Sequence, residues 1–189
     1  QEVLPSRRLL LGPNVEFSHR VMGDSLVSFC RPGQRWLWDG ISFEILAPNT
    51  LFLEGNNSSC VLQISFHDAK GREVKILLPG DIERDAEFEL LKSPRLRDPP
   101  FDLIVAPHHG SKTSSTASFV RRLAPQHVVF SAGYRHQFGH PHISVVTRYT
   151  DGGSRVWNSG EQGALVFDWL SSGTLQVSAA RDQQKRWWR

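Results

Sequence analysis

Apolar residues fall in short runs from Leu26 to Leu78, each broken by turn residues, and this spacing predicts strands rather than helices. Leu26 to Cys30 reads as a strand, Arg31-Pro32-Gly33-Gln34 as a turn, and Arg35 to Trp38 as a second strand. Asp39-Gly40 is a strong hairpin signal, so Ile41 to Leu46 is expected to return antiparallel. Cys60 to Phe66 and Val74 to Leu78 extend the series, joined by a turn at Ala69-Lys70-Gly71-Arg72. The first half is therefore expected to be a β-meander in one sheet. After it the grammar changes to alternating strand and helix. Ile82, Ala86 and Leu90 recur at helical spacing, with acids early in that segment where the helix dipole favours them. Strands follow at Leu103 to Ala106 and His127 to Ser131, with a helix between them opening near Ser114. Pro141 opens a further helix through Tyr149, and strands at Arg155 to Trp157, Ala164 to Trp169 and Thr174 to Val177 complete the pattern.

At 189 residues the chain is long enough for one sizeable core. Residues 1–25 read as a connecting segment, 26–180 as the domain, and 181–189 as a basic tail carrying Arg186, Trp187 and Trp188. A hydrophobic content of 39% and a charged content of 22% exclude an intrinsically disordered chain. The formal charge is +3 and the pI about 9.1, which suits a polyanionic partner without requiring one. No apolar window reaches bilayer-spanning length. The opening Gln1-Glu2-Val3 is expected to be an internal cut from a longer protein. Cys30 and Cys60 allow one disulfide if the compartment is oxidising, or two unrelated buried thiols.

Polar clusters gather where strands end. Asn56-Asn57-Ser58-Ser59 precedes one strand, Gly80-Asp81 follows another, and His108-His109-Gly110-Ser111 follows a third. His140 and His142 come after the fourth. Asp81 suits a helix N-cap, but aspartate and histidine at strand ends are also ligands that Zn²⁺ or Mn²⁺ accepts. Eight histidines, most of them between His108 and His142, favour the metal reading. Ser111, Lys112, Thr113 and Ser114 at a helix start are candidates for phosphate or DNA contact.

Five ordered motifs carry a resemblance: Asn57-x-Ser59-Cys60-Val61, Leu77-Leu78-Pro79-Gly80-Asp81-Ile82-Glu83, Pro107-His108-His109-Gly110-Ser111, Ser131-Ala132-Gly133-Tyr134 and Phe138-Gly139-His140-Pro141-His142. From about Gln34 to Ala164 the chain resembles the C-terminal metallo-β-lactamase-fold domain of ComEC-type competence proteins, membrane channels that take up single-stranded DNA. The resemblance implies an α+β (αββα) sandwich, incomplete on its N-terminal side, and two-metal phosphodiester hydrolysis with Mn or Zn. It assigns Asp81 and either His108 or His109 to metal, and places Asn57 where many relatives carry a further histidine ligand. His109 and His140 become candidates for phosphoryl contact or leaving-group protonation, and His142 for phosphate binding. It further implies DNA, the parent's channel portion and other uptake proteins as partners. The parent would be an inner-membrane protein with this domain on the extracytoplasmic side, where Cys30 and Cys60 could be bridged. The family's His-x-His-x-Asp-His string, or its relative with two Asp and two His, has no counterpart here, and His19 cannot replace it. The chain alone is therefore expected to bind metal weakly and to be weakly active or inactive. Two other readings stay open. Arg186 and Trp187 suit a non-catalytic DNA-binding or channel-associated module, or a membrane interface. The same fold also serves hydrolases of small substrates.

Overall fold

The computed structural model describes residues 8–13, 26–49, 53–134 and 139–183. Its centre is a seven-stranded sheet of β3 (Arg35–Trp38), β4 (Ile41–Ala47), β5 (Val61–His67), β6 (Glu73–Leu78), β7 (Leu103–Val105), β8 (His127–Phe130) and β9 (Arg155–Asn158), in that spatial order. The hairpin signal acts as expected: Asp39 and Gly40 both take positive φ, 48° and 79°, which the two-residue turn between twisted strands demands. Strands β3 to β6 are antiparallel and β6 to β9 parallel. The change of direction at β6 forces the chain to cross over between later strands, and the crossovers supply the helices.

Helices α1 (Arg84–Leu91), α2 (Ala117–Leu123) and α3 (Ile143–Asp151) cover one sheet face. Register puts Leu77, Ile104 and Val128 in one row on that face. Ile82, Ala86 and Leu90, followed by Phe119 and Leu123, pack on the Leu77–Ile104 end of it. Val120, Val145 and Tyr149 pack on Val128 and Phe130. Burying each large side chain contributes about 1.5–3 kcal/mol. The opposite face presents Leu62, Ile64, Phe66, Ile76, Leu78, Val105 and Val129, all half-buried. A hairpin of β10 (Leu165–Trp169) and β11 (Leu175–Ala179) lies over part of it. Trp169 meets Phe66 edge-on at 5.5 Å, and Phe167 meets both His127 and Trp157. The chain is thus a mixed α/β fold with a large central sheet: one helix layer, that sheet, and a small second sheet across it.

Two expectations need correction. β2 (Leu26–Phe29) is not part of the meander; it pairs in parallel with β1 (Arg8–Leu11) as a separate two-stranded sheet. The reason lies in Cys30 just beyond it, whose N–H donates to Leu11 and whose sulfur is bonded to Cys60 at the start of β5. Covalent attachment replaces ladder pairing. The helix expected to open at Ser114 begins at Ala117, because Ser115 takes φ 54°. Short helices α4 (Ser159–Gln162) and α5 (Ala180–Gln183) went unforeseen. Arg186, Trp187 and His19 lie outside the described residues. Among those residues no helix is long and apolar enough to cross a membrane.

Closing a loop of this size by a disulfide stabilises a fold by roughly 3–4 kcal/mol; Cys30 and Cys60 are 30 residues apart. The double variant Cys30→Ser/Cys60→Ser should lose about that much in denaturant titration, and the unsubstituted chain should show no free thiol when unfolded without reductant. A second outcome concerns pH. Burial, helped by the charge of Arg155, holds the His127 pKa below its ordinary value, and its Nδ1 accepts a 3.0 Å bond from Trp157 Nε1–H. The neutral ring is the stabilising form in the folded state. Its contribution is complete above the unfolded value of about 6.5 and is lost as pH falls through the lower folded value. Thermal unfolding at pH 7.5 and 5 should show a smaller acid penalty for His127→Phe than for the parent.

Candidate active site

Three parallel strands, β6, β7 and β8, end side by side, and the loops at those carboxyl ends hold most of the polar clusters singled out from the sequence. Crevices outside such strand ends are where open α/β sheets assemble sites. Asp81 follows β6 by three residues. After β7 the chain enters a tight 3₁₀ turn, Pro107–Gly110, in which His108 and His109 both adopt left-handed φ, 48° and 55°. Each such residue costs on the order of 1–3 kcal/mol. Backbone bonds compensate: His108 N–H donates to Gly80, Ser111 N–H to His108, and His142 N–H to Gly110. Gly110 is required twice over. Its φ is +81°, and a Cβ there would sit 2.5 Å from Phe130 and 2.8 Å from Pro141.

This turn sends the two imidazoles in different directions. His109 Nδ1 lies 2.7 Å from the Ser131 carbonyl, which can only accept, so Nδ1 carries the proton. The other nitrogen, Nε2, faces Asp81 Oδ1 at 3.6 Å. A lone pair and a carboxylate oxygen opposed at that distance repel unless a proton or a cation lies between them. An imidazole held by a carbonyl on its far nitrogen is also the orientation metal-ligating histidines adopt. His108 is differently committed. Its Nδ1 is 3.0 Å from Glu83 Oε1, and its Nε2 is 3.4 Å from Asn56 Nδ2. With both nitrogens engaged, His109 is the member of the pair that opposes Asp81. His140 joins from the next loop, its ring 5.9 Å from that of His108.

Asp81, His108, His109 and His140 are thus brought together as the sequence suggested, and Glu83 belongs with them. Its pKa is depressed, first by the hydroxyl of Thr113, which donates at 2.6 Å, then by the charge of His108. The quoted Asp81-Ile82-Glu83 motif contained this residue, and an acid two positions after Asp81 at a helix start was its only signal. Other candidates serve the scaffold. Asn57, at the position where the resemblance put a ligand of many relatives, accepts the N–H groups of Glu83 and Ala86 through Oδ1 and so caps α1. His142 caps α3 through Nδ1, which accepts from Ser144 N–H. Ser114 is buried and donates to Pro107 and Ser111 carbonyls, which removes it from any DNA contact. The Ser115 and Thr116 N–H groups at the start of α2 are already bound by the fully buried carboxylate of Glu87, so no anion reaches them. Ser111 is buried with its hydroxyl against Thr113, and Lys112 is exposed on the turn between them.

No group of three or more His, Cys, Asp or Glu able to hold a metal ion is formed among the described residues. Asp81 and His109 are two suitable donors, short of the three or four that a zinc site uses. The residues present do not make a metal site by themselves.

Known proteins of similar sequence place the chain among its relatives. The chain is 31% identical over 180 residues to Recombination protein 2 of Haemophilus influenzae, covering 93% of this chain and 22% of that protein. It is 32% identical over 155 residues to competence protein ComA of Neisseria gonorrhoeae, covering 82% and 21%. ComE operon protein 3 of Bacillus subtilis is 29% identical over 140 residues, 72% of this chain and 17% of that protein. The chain is a homologue of the ComEC-type competence proteins. It spans about a fifth of the length of these curated relatives. No family model matches it. Among solved structures, the CmlA β-hydroxylase matches with a TM-score of 0.43 at 11% identity, covering 74% of this chain and 33% of that one.

Gly110→Ala should destabilise the fold by about 2–4 kcal/mol, combining the strained φ with overpacking against Phe130. Chemical denaturation measures this directly. The Glu83 carboxyl should titrate below the ordinary glutamate range in carbon-detected NMR, and Thr113→Val should return it upward. Because the folded value is depressed, Glu83 contributes stability above the unfolded carboxylate range and loses it as pH falls through the folded value.

Proposed function

We propose that this chain is the phosphodiester-processing segment of a DNA-uptake protein, and that Asp81, His109 and His140 act at the scissile phosphate. The observation that carries this reading is the opposition of His109 Nε2 and Asp81 Oδ1 at 3.6 Å, with His109 anchored by Ser131 on its other nitrogen. Such a pair needs a positive centre between its members. The kinship with competence proteins supports DNA as the substrate. In the complete protein two divalent ions, Mn or Zn, would supply a hydroxide nucleophile and neutralise phosphate charge, with the missing ligands coming from outside the described residues. This chain's own residues would do three things. Asp81 and His109 provide one side of the cation shell. His140 protonates the departing 3′ oxygen. Exposed Lys112 attracts the backbone of the strand. The Cys30–Cys60 disulfide supports an extracytoplasmic location, since such bonds persist in oxidising compartments. The partners would be DNA and the channel portion of the parent protein.

One observation favours a second reading, a DNA-binding or channel-associated module without catalysis. The described residues form no cluster of three metal ligands, and His108 is spent on Glu83 and Asn56. Assays of single- and double-stranded DNA with Mn²⁺, Mg²⁺ and EDTA separate the two, using this chain alone and the longer parent. Metal-dependent cleavage by the parent, abolished by Asp81→Ala and lowered about 10²-fold by His140→Gln, is the expected result. Salt-sensitive DNA binding with no cleavage in the parent would establish the module instead.

A further inference from the structure

His140 lines a cavity of about 530 Å³, walled by Phe130, Pro141, Ile143, Val146 and Val156, to which Tyr134 also contributes. This volume is in the range of small-molecule sites. We propose that it is a nucleobase subsite, holding the base next to the phosphate processed by His109 and His140; the proposal rests on the phosphodiester reading given above and names its substrate contact.

Three observations carry it. The first is surface chemistry. Tyr134 and Ile143 are 64% and 71% exposed, large side chains left in water that both line a mainly apolar cavity. A flat ring beside an aliphatic wall is the arrangement that sandwiches a planar base, and stacking is tolerant of base identity. Arg181 lies over the Tyr134 ring, its guanidinium carbon 5.4 Å from the centroid, and is itself tied to the Gly160 and Glu161 carbonyls. The ring is thereby braced from the α5 side.

The second is continuity with the candidate active site. His140 lines the cavity. Phe130 and Pro141, two of its walls, are the atoms that a Cβ on Gly110 would strike. The cavity and the His109 turn are therefore separated only by Phe130 and Pro141, and His140 belongs to both, so the proposed nucleotide would place its phosphate toward the histidine cluster.

The third is rigidity. Ser159 Oγ donates to the Phe130 and Ala132 carbonyls, and Gly160 approaches the Gly133 carbonyl so closely that a Cβ there would lie at 2.9 Å. The loop that carries Tyr134 also carries Ser131, the anchor of His109. Residues 131–134 thus present both the stacking surface and the orienting carbonyl, as a site that must hold base and phosphate in register requires. Asn158 and Glu161 also line the cavity; Asn158 Oδ1 already accepts the Gly160 N–H, which leaves its NH2 group and the Glu161 carboxylate for the edge of a base.

Binding tests this without relying on turnover. Titration of the chain with AMP and with ribose 5-phosphate, followed by NMR, should give AMP the tighter dissociation constant by about tenfold, the scale of one stacked base. The AMP titration should also shift the Tyr134 ring and Ile143 methyl resonances. Tyr134→Ala should bring AMP down to the ribose 5-phosphate level, and Tyr134→Phe should restore it. Equal affinity for the two ligands, or unchanged AMP binding in Tyr134→Ala, overturns the proposal. The two readings fail separately. A base-dependent affinity without DNA cleavage in the parent leaves the subsite standing and removes the hydrolysis. Cleavage that is indifferent to an abasic nucleotide at the scissile position removes the subsite and keeps the hydrolysis.

Discussion

A single buried carboxylate holds the helix layer in relation to the strand ends. Glu87 on α1 accepts the N–H groups of both Ser115 and Thr116, so an anion sits at the amino end of α2. Arg148 donates to the Ser115 carbonyl, and Tyr149 Oη to the Ser115 hydroxyl at 3.2 Å, which brings in α3. Desolvation raises the Glu87 pKa, while the two N–H groups and Arg148 favour the charged form. Each of the three helices is continuous with a loop of the candidate site: α1 with Asp81, α2 with His109, α3 with His140. A buried charge is costly when a partner is removed, so this junction fixes all three loops at once. It also explains why Ser115 tolerates a left-handed φ: its N–H, carbonyl and hydroxyl are all spoken for.

Much of this was legible in the sequence, and the parts that were not share a physical cause. Alternating apolar runs located β3 to β9 because strand periodicity is local, and Asp39-Gly40 specified its turn because few other pairs take two positive φ values. Asp81, His109 and His140 could be singled out because each follows an apolar strand. What the sequence could not say was which nitrogen of which histidine faces the aspartate. That depends on Ser131, 22 residues from His109, and on Glu83 and Asn56, which are 25 and 52 residues from His108. Long-range pairing of this kind leaves no periodic trace. The displaced start of α2 has the same origin. Ser114 and Ser115 look like ordinary caps, yet a carboxylate from another helix claims the N–H groups and pushes the cap to Thr116.

The disulfide and the sheet change at β6 divide labour in a related way. Antiparallel pairing through β6 is established by short turns and makes few demands on distant sequence. The parallel half needs crossovers, and its loops are free to carry function because ladder hydrogen bonding, not the loops, fixes the strands. Cys60 immediately precedes β5, next to Ser59, whose hydroxyl accepts from Asp81 N–H in the loop that follows β6. The covalent link therefore braces the loop beside the acid, as well as attaching the outlying β1–β2 pair.

The left-handed turn at His108 and His109 bears on how any substitution there should be interpreted. Alanine, the usual choice, removes an imidazole and also leaves a residue poorly suited to φ near +50°, so lost side-chain chemistry and a relaxed backbone arrive together. Asparagine visits that region readily and still offers a short polar group. A His109→Asn variant keeps the turn while withdrawing the ring nitrogen opposite Asp81, and its difference from His109→Ala separates what the imidazole does from what the turn does.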